Sequence, residues 1–301
     1  MRLRTSMIPL LVMSLLFSLM WTGAAWGAKP LSPNVPLPAA PGHAASQDLT
    51  ATLTQSVEFV GHVGGATRAV AVQGQYAYVG FGPSLAVIDV SDPAHPDQVG
   101  VTPYLAGLVW DVAVTSEGIA FAAAGASGLH IVDVSDPQHP ALLGTLDTPG
   151  EARGVAAAGN SVYVADAWGG LCVVDVSNPA SPVIVSSCPT PGWAMDVAVA
   201  ADYAYVADLD KGLRIIDMTN PEAPSETGFC DTPGGAYGIA LASAGLACVA
   251  DYDGGLRVIN VSDPTHPSEM GSYEPSGYSY GVAVGPDGHA YVAGAAYGLS
   301  I

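Results

Sequence analysis

LHIVDVSDPQHP, residues 129–140, couples a short apolar run to an acidic residue and then to a turn closed by proline. The first five positions suit a buried strand. Asp136-Pro137 stops it, because Asp bonds its own local backbone and Pro has no N–H to give to a ladder. The same arrangement recurs as LAVIDVSDPAHP (85–96), LCVVDVSNPASP (171–182), LRIIDMTNPEAP (213–224) and LRVINVSDPTHP (256–267). Its central polar residue falls at Asp89, Asp133, Asp175, Asp217 and Asn260, in steps of 44, 42, 42 and 43.

A second marker is the small residue of a V-A-V-like run: Ala71, Ala113, Ala156, Ala198, Ala240 and Ala283, spaced by 42 or 43. Six units of about 42 residues are thus begun, each with room for four short strands. In the fourth unit these are Val197–Val199, Tyr203–Ala207, Leu213–Met218 and Glu226–Cys230, after which Thr232-Pro233-Gly234 leads into the next. A four-stranded sheet cannot cover both its faces alone, so neighbouring units must stack. This period and strand number fit a closed ring better than a linear solenoid. The expected fold is an all-β β-propeller with six blades begun and a native number of six to eight. Small residues at the Ala positions fit first strands that converge on an axis. Ser56–His62 (SVEFVGH) reads as a fourth strand without three predecessors, a candidate clasp for the last blade. The sixth unit stops at Leu299-Ser300-Ile301, inside the shared motif, which predicts a C-terminally truncated piece.

LAVID, LHIVD, LCVVD and LRIID resemble the LVIVD repeat family of exported bacterial and archaeal proteins, over roughly residues 56–301. The resemblance implies a β-propeller on secreted or surface proteins, often beside further domains or anchors. It implies no particular activity.

The first 27 residues read as a signal peptide: Arg2 and Arg4, an apolar core from Met7 to Trp21, then small residues before a cleavage site after Gly27. Residues 28–54 hold Pro30, Pro33, Pro36, Pro38 and Pro41 and read as an extended linker, leaving 55–301 for the propeller. No transmembrane segment is expected in the mature chain, and its place is secreted, periplasmic or at the cell surface. With 8 Lys and Arg against 27 Asp and Glu, the net charge of −19 repels nucleic acid and anionic lipid. Export permits disulfides among Cys172, Cys188, Cys230 and Cys248. Cys172–Cys188 is the candidate pair, on strands a hairpin would set side by side.

Candidate sites follow from the register. In an up-and-down blade, the loops between second and third strands share a face with the linkers between blades, and ligands tend to bind at such mouths. Just before the first strand the units place Arg68, Trp110, Arg153, Met195, Tyr237 and Tyr280. The arginines and aromatics are the candidate ligand-binding set, able to grip a sugar, an aromatic ligand or a peptide. At the end of the second strand, Asp166, Asp208 and Asp251 form a crescent, a candidate calcium site; the plainer reading is that each caps its own loop. The Asp of the LVIVD motif is expected to cap its turn. His95, His139 and His266 are turn residues too far apart around a ring to share a metal.

No catalytic motif is expected, neither a nucleophile elbow nor H-E-x-x-H nor a phosphate-binding loop. The expected function is a non-catalytic binding or display scaffold, with a protein or glycan at the cell surface as partner. A secreted hydrolase or lyase acting on polysaccharide or a small polar substrate is the alternative.

Overall fold

A computed structural model describes residues 67–242, 245–295 and 298–301. The expected signal peptide, the Pro-rich stretch and the SVEFVGH segment lie outside the described residues. Blade 1 is β1 (Thr67–Gln73), β2 (Tyr76–Phe81), β3 (Ser84–Asp89) and β4 (Asp97–Val101). Blade 2 is β5 (Asp111–Val114), β6 (Ile119–Ala123), β7 (Leu129–Asp133) and β8 (Ala141–Leu146). Blade 3 is β9 (Gly154–Ala158), β10 (Ser161–Ala165), β11 (Leu171–Asp175) and β12 (Val183–Cys188). Blade 4 is β13 (Asp196–Ala200), β14 (Tyr203–Ala207), β15 (Leu213–Asp217) and β16 (Ser225–Cys230). Blade 5 is β17 (Gly238–Ala242), β18 (Leu246–Ala250), β19 (Leu256–Asn260) and β20 (Ser268–Tyr273). Blade 6 is β21 (Ser279–Val284), β22 (Ala290–Gly294) and β23 (Gly298–Ser300). The protein is a six-bladed β-propeller. Each blade is an antiparallel meander in chain order, and among the described residues no helix is long and apolar enough to cross a membrane.

The third strands show why the repeated run is apolar without alternating. Leu171 and Val173 of β11 pack into the layer shared with blade 4, while Cys172 and Val174 pack into the layer shared with blade 2. Both faces of such a strand are buried, so both parities must be apolar. Each of these strands also meets its outer neighbour through a bulge at the same place, between Val87/Ile88, Ile131/Val132, Val173/Val174, Ile215/Ile216 and Val258/Ile259. A bulge sharpens local twist, which lets the outer strand splay from its neighbours.

First strands pack on first strands around the axis, β1 on β5, β5 on β9, β9 on β13, β13 on β17 and β17 on β21. The approach is close enough to demand glycine: a Cβ on Gly154 would lie 2.6 Å from the Cα of Asp196.

That two-sided packing overturns the Cys172–Cys188 pairing. Leu171 is the residue opposite Cys188, and Cys172 is opposite Ser187. The two thiols therefore point to opposite faces of the sheet, and all four cysteines are free. Burial pushes the Cys172 thiol up to about 12, so it is an inert core residue.

Candidate functional site at the propeller mouth

The six residues just before or at the start of the first strands converge on one end of the axis. Trp110 lies between two guanidiniums, Arg68 at 4.1 Å and Arg153 at 4.0 Å from its ring centroid. Contacts of this kind are worth about 0.5–2 kcal/mol each. Arg153 also bonds Glu151. Arg68 has no carboxylate within ion-pair distance among the described residues, and partial burial with Arg153 nearby lowers its pKa.

On the other side of the mouth stands a wall of tyrosines. Tyr252 stacks on Tyr278 with centroids 4.2 Å apart and planes 4° from parallel. Tyr237 meets Tyr280 at 5.3 Å and Tyr252 at 5.4 Å. Burial, then the neighbouring Tyr252, raises the Tyr280 phenol to about 12, so it stays a neutral donor. Trp168 and Trp193 form an edge-to-face pair at 5.7 Å, both about half exposed.

Sequence reasoning placed Arg68, Trp110, Arg153, Tyr237 and Tyr280 together, and the structure brings them together. It missed Trp168, Trp193, Tyr252 and Tyr278, which follow from the same register: two lie in the loop after the second strand and two in the linkers between blades. Tyr252 holds a left-handed φ of 48°, as do its counterparts Ala167 (47°) and Leu209 (45°). The loop is fixed by paired backbone bonds to the next linker, Tyr252 with Ser279 and Leu209 with Ala236. A bulky residue in that region is strained by about 1–2 kcal/mol, so the ring is held in place by its surroundings.

The Asp crescent has a different role from the mouth. Asp166, Asp208 and Asp251 are fully buried. Each takes a Thr hydroxyl on one oxygen: Thr148 at 2.6 Å, Thr190 at 2.6 Å and Thr232 at 2.5 Å. Each takes a linker N–H on the other: Gly150 at 2.6 Å, Gly192 at 2.8 Å and Gly234 at 2.9 Å. The Thr-Pro-Gly linker entering a blade is thereby stapled to that blade's own loop. The glycine is required, since a Cβ at Gly150 would sit 2.0 Å from the Asp166 carbonyl oxygen. Burial raises all three carboxyl pKa values against the pull of these hydrogen bonds. The oxygens calcium would need are engaged, each in a separate blade, and no group of three or more metal-ligating side chains occurs among the described residues. Arg257 and Arg214 reach Asp251 at 3.4 Å and Asp208 at 4.0 Å from the same sheets.

One residue into the channel, Asp111 and Asp196 form a pair that sequence reasoning missed. Asp111 accepts the N–H of Val155 at 2.8 Å and Asp196 that of Ile239 at 2.9 Å, each reaching into the next blade. Enclosure raises the pKa of both carboxyls, and the added charge of Asp111 takes Asp196 to about 8. The signal was the residue two before the marker alanine, which reads Ala69, Asp111, Gly154, Asp196, Gly238, Gly281.

The LVIVD carboxylates do cap their turns. Asp89, Asp133, Asp175, Asp217 and Asn260 each accept the N–H two residues on, at 2.8–3.0 Å. His95, His139 and His266 each sit beside the Asp three residues earlier, at 2.9, 2.9 and 3.2 Å, on exposed turns.

The expectation of no nucleophile motif needs correcting, because Gly277–Gly281 spells GYSYG and matches G-x-S-x-G. Ser279 is fully buried and opens β21, with no helix after it. Its hydroxyl has no hydrogen-bond partner among the described residues, so no base among them activates it. The match is one of spelling only.

The LVIVD repeat matches five times, over residues 64–101, 106–148, 149–190, 191–232 and 233–274. The chain belongs to the LVIVD repeat family. No curated protein matches this LVIVD-repeat chain. Among solved structures it is similar to the computationally designed Ika8 protein, at 10% identity over 78% of this chain and 70% of that one, TM-score 0.62. The β-propeller domain of Cps50 (Swd1) from Myceliophteria thermophila gives 13% identity, 78% and 81% coverage and a TM-score of 0.63. A functionally unknown protein from Desulfotomaculum acetoxidans gives 13%, 70% and 69%, and 0.59. At these identities the likeness shows the fold alone.

Proposed function

We propose that this propeller is a non-catalytic binding module that works at or outside the cell surface, with its aromatic and arginine mouth as the ligand face. One observation carries the reading. A single register position holds Arg, Trp, Arg, Met, Tyr and Tyr in six successive blades, while the motif around it repeats almost unchanged. A position that served only to plug the channel would be filled alike in every blade. Convergent aromatics with a few polar groups at a loop-rich mouth are what ligand sites are made of.

The test is a binding screen of the full chain against glycan and peptide arrays, with the Trp110→Ala/Tyr237→Ala double variant as comparator. Hits that vanish in the variant, at unchanged far-UV circular dichroism, support the reading. Hits that persist put the ligand elsewhere on the molecule.

The enzymatic alternative has one feature to draw on, the Asp111–Asp196 pair, since a carboxyl whose pKa lies near 8 suits general acid work. Against it, every oxygen of that pair already accepts a backbone N–H. Turnover of any array ligand that is lost in Asp196→Ala, with binding retained, would replace the binding-module reading with the enzymatic one.

A further inference from the structure

Among the described residues, the Lys and Arg side chains away from the mouth all face their own carboxylates. Arg214 faces Asp208, Glu226 and Asp231; Arg257 faces Asp251, Glu269 and Glu274; Lys211 faces Asp210. The mouth departs from that pattern: two guanidiniums approach one indole, and of the two only Arg153 is paired, with Glu151. Arg68 remains exposed, and partial burial followed by the like charge of Arg153 lowers its pKa. A ligand carboxylate at the edge of the indole, within reach of both guanidiniums, would offset their repulsion and give Arg68 the partner it lacks, and Arg presents the planar fork that suits it.

What surrounds the arginines narrows the class of ligand. The mouth loops FGPS (81–84), AGASG (124–128), DAWGG (166–170), PGWAM (191–195) and PSGYSY (275–280), and the carboxylate-bearing DLDKG (208–212) and DYDGG (251–255), contain no Asn, Gln or His, three of the side chains that read sugar hydroxyls. Tyr, Trp, Ser, Gly and Arg are instead the vocabulary of peptide-binding loops. Apolar area is exposed on the same face at Phe81, Tyr104 and Leu108. A polyanion would be repelled by the net charge of −19.

We infer that the mouth binds a peptide segment carrying a single acidic residue flanked by apolar ones, with the carboxylate held by Arg68 and Arg153 and the flanking side chains against the tyrosine wall. This rests on the mouth being the ligand face.

The experiment is selection of a random heptapeptide display library on the full chain, followed by affinity measurement of the synthetic winners. The expected winners carry one Asp or Glu among apolar residues. Arg68→Ala is expected to weaken them roughly 10- to 100-fold, and replacing the peptide's Glu with Gln should cost as much on wild type but little more on Arg68→Ala. Thermal melting of Arg68→Ala and of the milder Arg68→Lys checks that the fold survives. Winners without an acidic residue that still depend on Trp110 and Tyr237 overturn the carboxylate assignment and leave the mouth standing. Winners indifferent to all three residues overturn both. Polygalacturonate that competes with the peptides at the mouth, and binds it more tightly, makes the ligand an acidic glycan and overturns the peptide class.

Discussion

The two faces of the disc are built by opposite rules. On the face away from the mouth, five turns repeat one device: an Asp or Asn caps the backbone two residues on, and Pro ends the strand. A small cavity there, about 60 Å³, is lined by Ala158, Tyr163, Val199, Ala201, Tyr203 and Met218 among others. On the mouth face the linkers are stapled by a second repeated device, yet the six residues at the channel opening differ from blade to blade. Repetition marks what every blade needs in order to fold. Variation inside a fixed frame marks what the whole ring does once.

The contrast predicts that stability and binding reside in different residues of the same face. The largest effect is expected at the staple. Asp208→Ala removes a fully buried carboxylate and leaves the Thr190 hydroxyl, the Gly192 N–H and the Arg214 guanidinium with fewer partners. Losing one member of such a buried network costs about 3 kcal/mol. Arg68→Ala, one short step away on the same face, loses its contact with Trp110 but also the repulsion from Arg153, and should change stability by no more than about 1 kcal/mol. Urea denaturation of both variants checks this. Equal losses would mean that the mouth residues are framework and that the division between the two sets is false.

A second effect is expected in the channel and shows as a slope against pH. The Asp111–Asp196 pair, together with the buried Asp166, Asp208 and Asp251, has raised pKa values and keeps protons in the folded state over a range where the unfolded chain has released them. From the ordinary carboxylate range near pH 4 up to about 8, the unfolded state therefore binds fewer protons, and stability falls as pH rises. The turn carboxylates act the other way, but their lowered pKa values confine their influence to the acid side. A melting temperature highest near pH 5 and declining towards pH 8 is expected. Asp196→Ala removes half of the pair, so the decline should flatten even though the variant loses two hydrogen bonds. A curve that rises to pH 8, or an unchanged slope in the variant, would show the pair to be ionised and independent.

Much of this was legible from periodicity. Blade count begun, strand order, the capping role of the LVIVD carboxylate and the convergence of Arg68, Trp110, Arg153, Tyr237 and Tyr280 all follow from a 42-residue register, because a ring maps equal sequence positions onto equal places. What escaped was what register alone cannot supply. The Cys172–Cys188 pairing failed on parity: adjacent strands were correct, but a one-residue offset sent the thiols into different layers. The crescent suggested a metal because Asp166, Asp208 and Asp251 were read alone. Their partners were in the sequence, as Thr-Pro-Gly 18 or 19 residues earlier in those three blades. Blade 2 makes the point by difference. With Ala124 in the Asp position, its linker is held by Ser127 bonding the Ala106 carbonyl at 2.6 Å.

The smallest effect tests the repeated face. Asp133→Ala removes an exposed cap that accepts both the N–H and the hydroxyl of Ser135, at 2.9 and 2.6 Å. Such hydrogen bonds in water contribute little, and a fall in melting temperature of no more than about 3 °C is expected. The hydrogen bonds hold the Asp133 carboxyl below its ordinary pKa, so its contribution is present above about pH 4 and fades as pH falls through the lowered value. Wild type and variant should therefore converge in acid. The same replacement at Asp89 and Asp175 falls on turns of separate blades, far enough apart for the three losses to add. A triple variant much less stable than the sum would mean that blades transmit strain around the ring. The repeated turns would then be coupled parts of one closure, and the line drawn between framework and mouth would have to move.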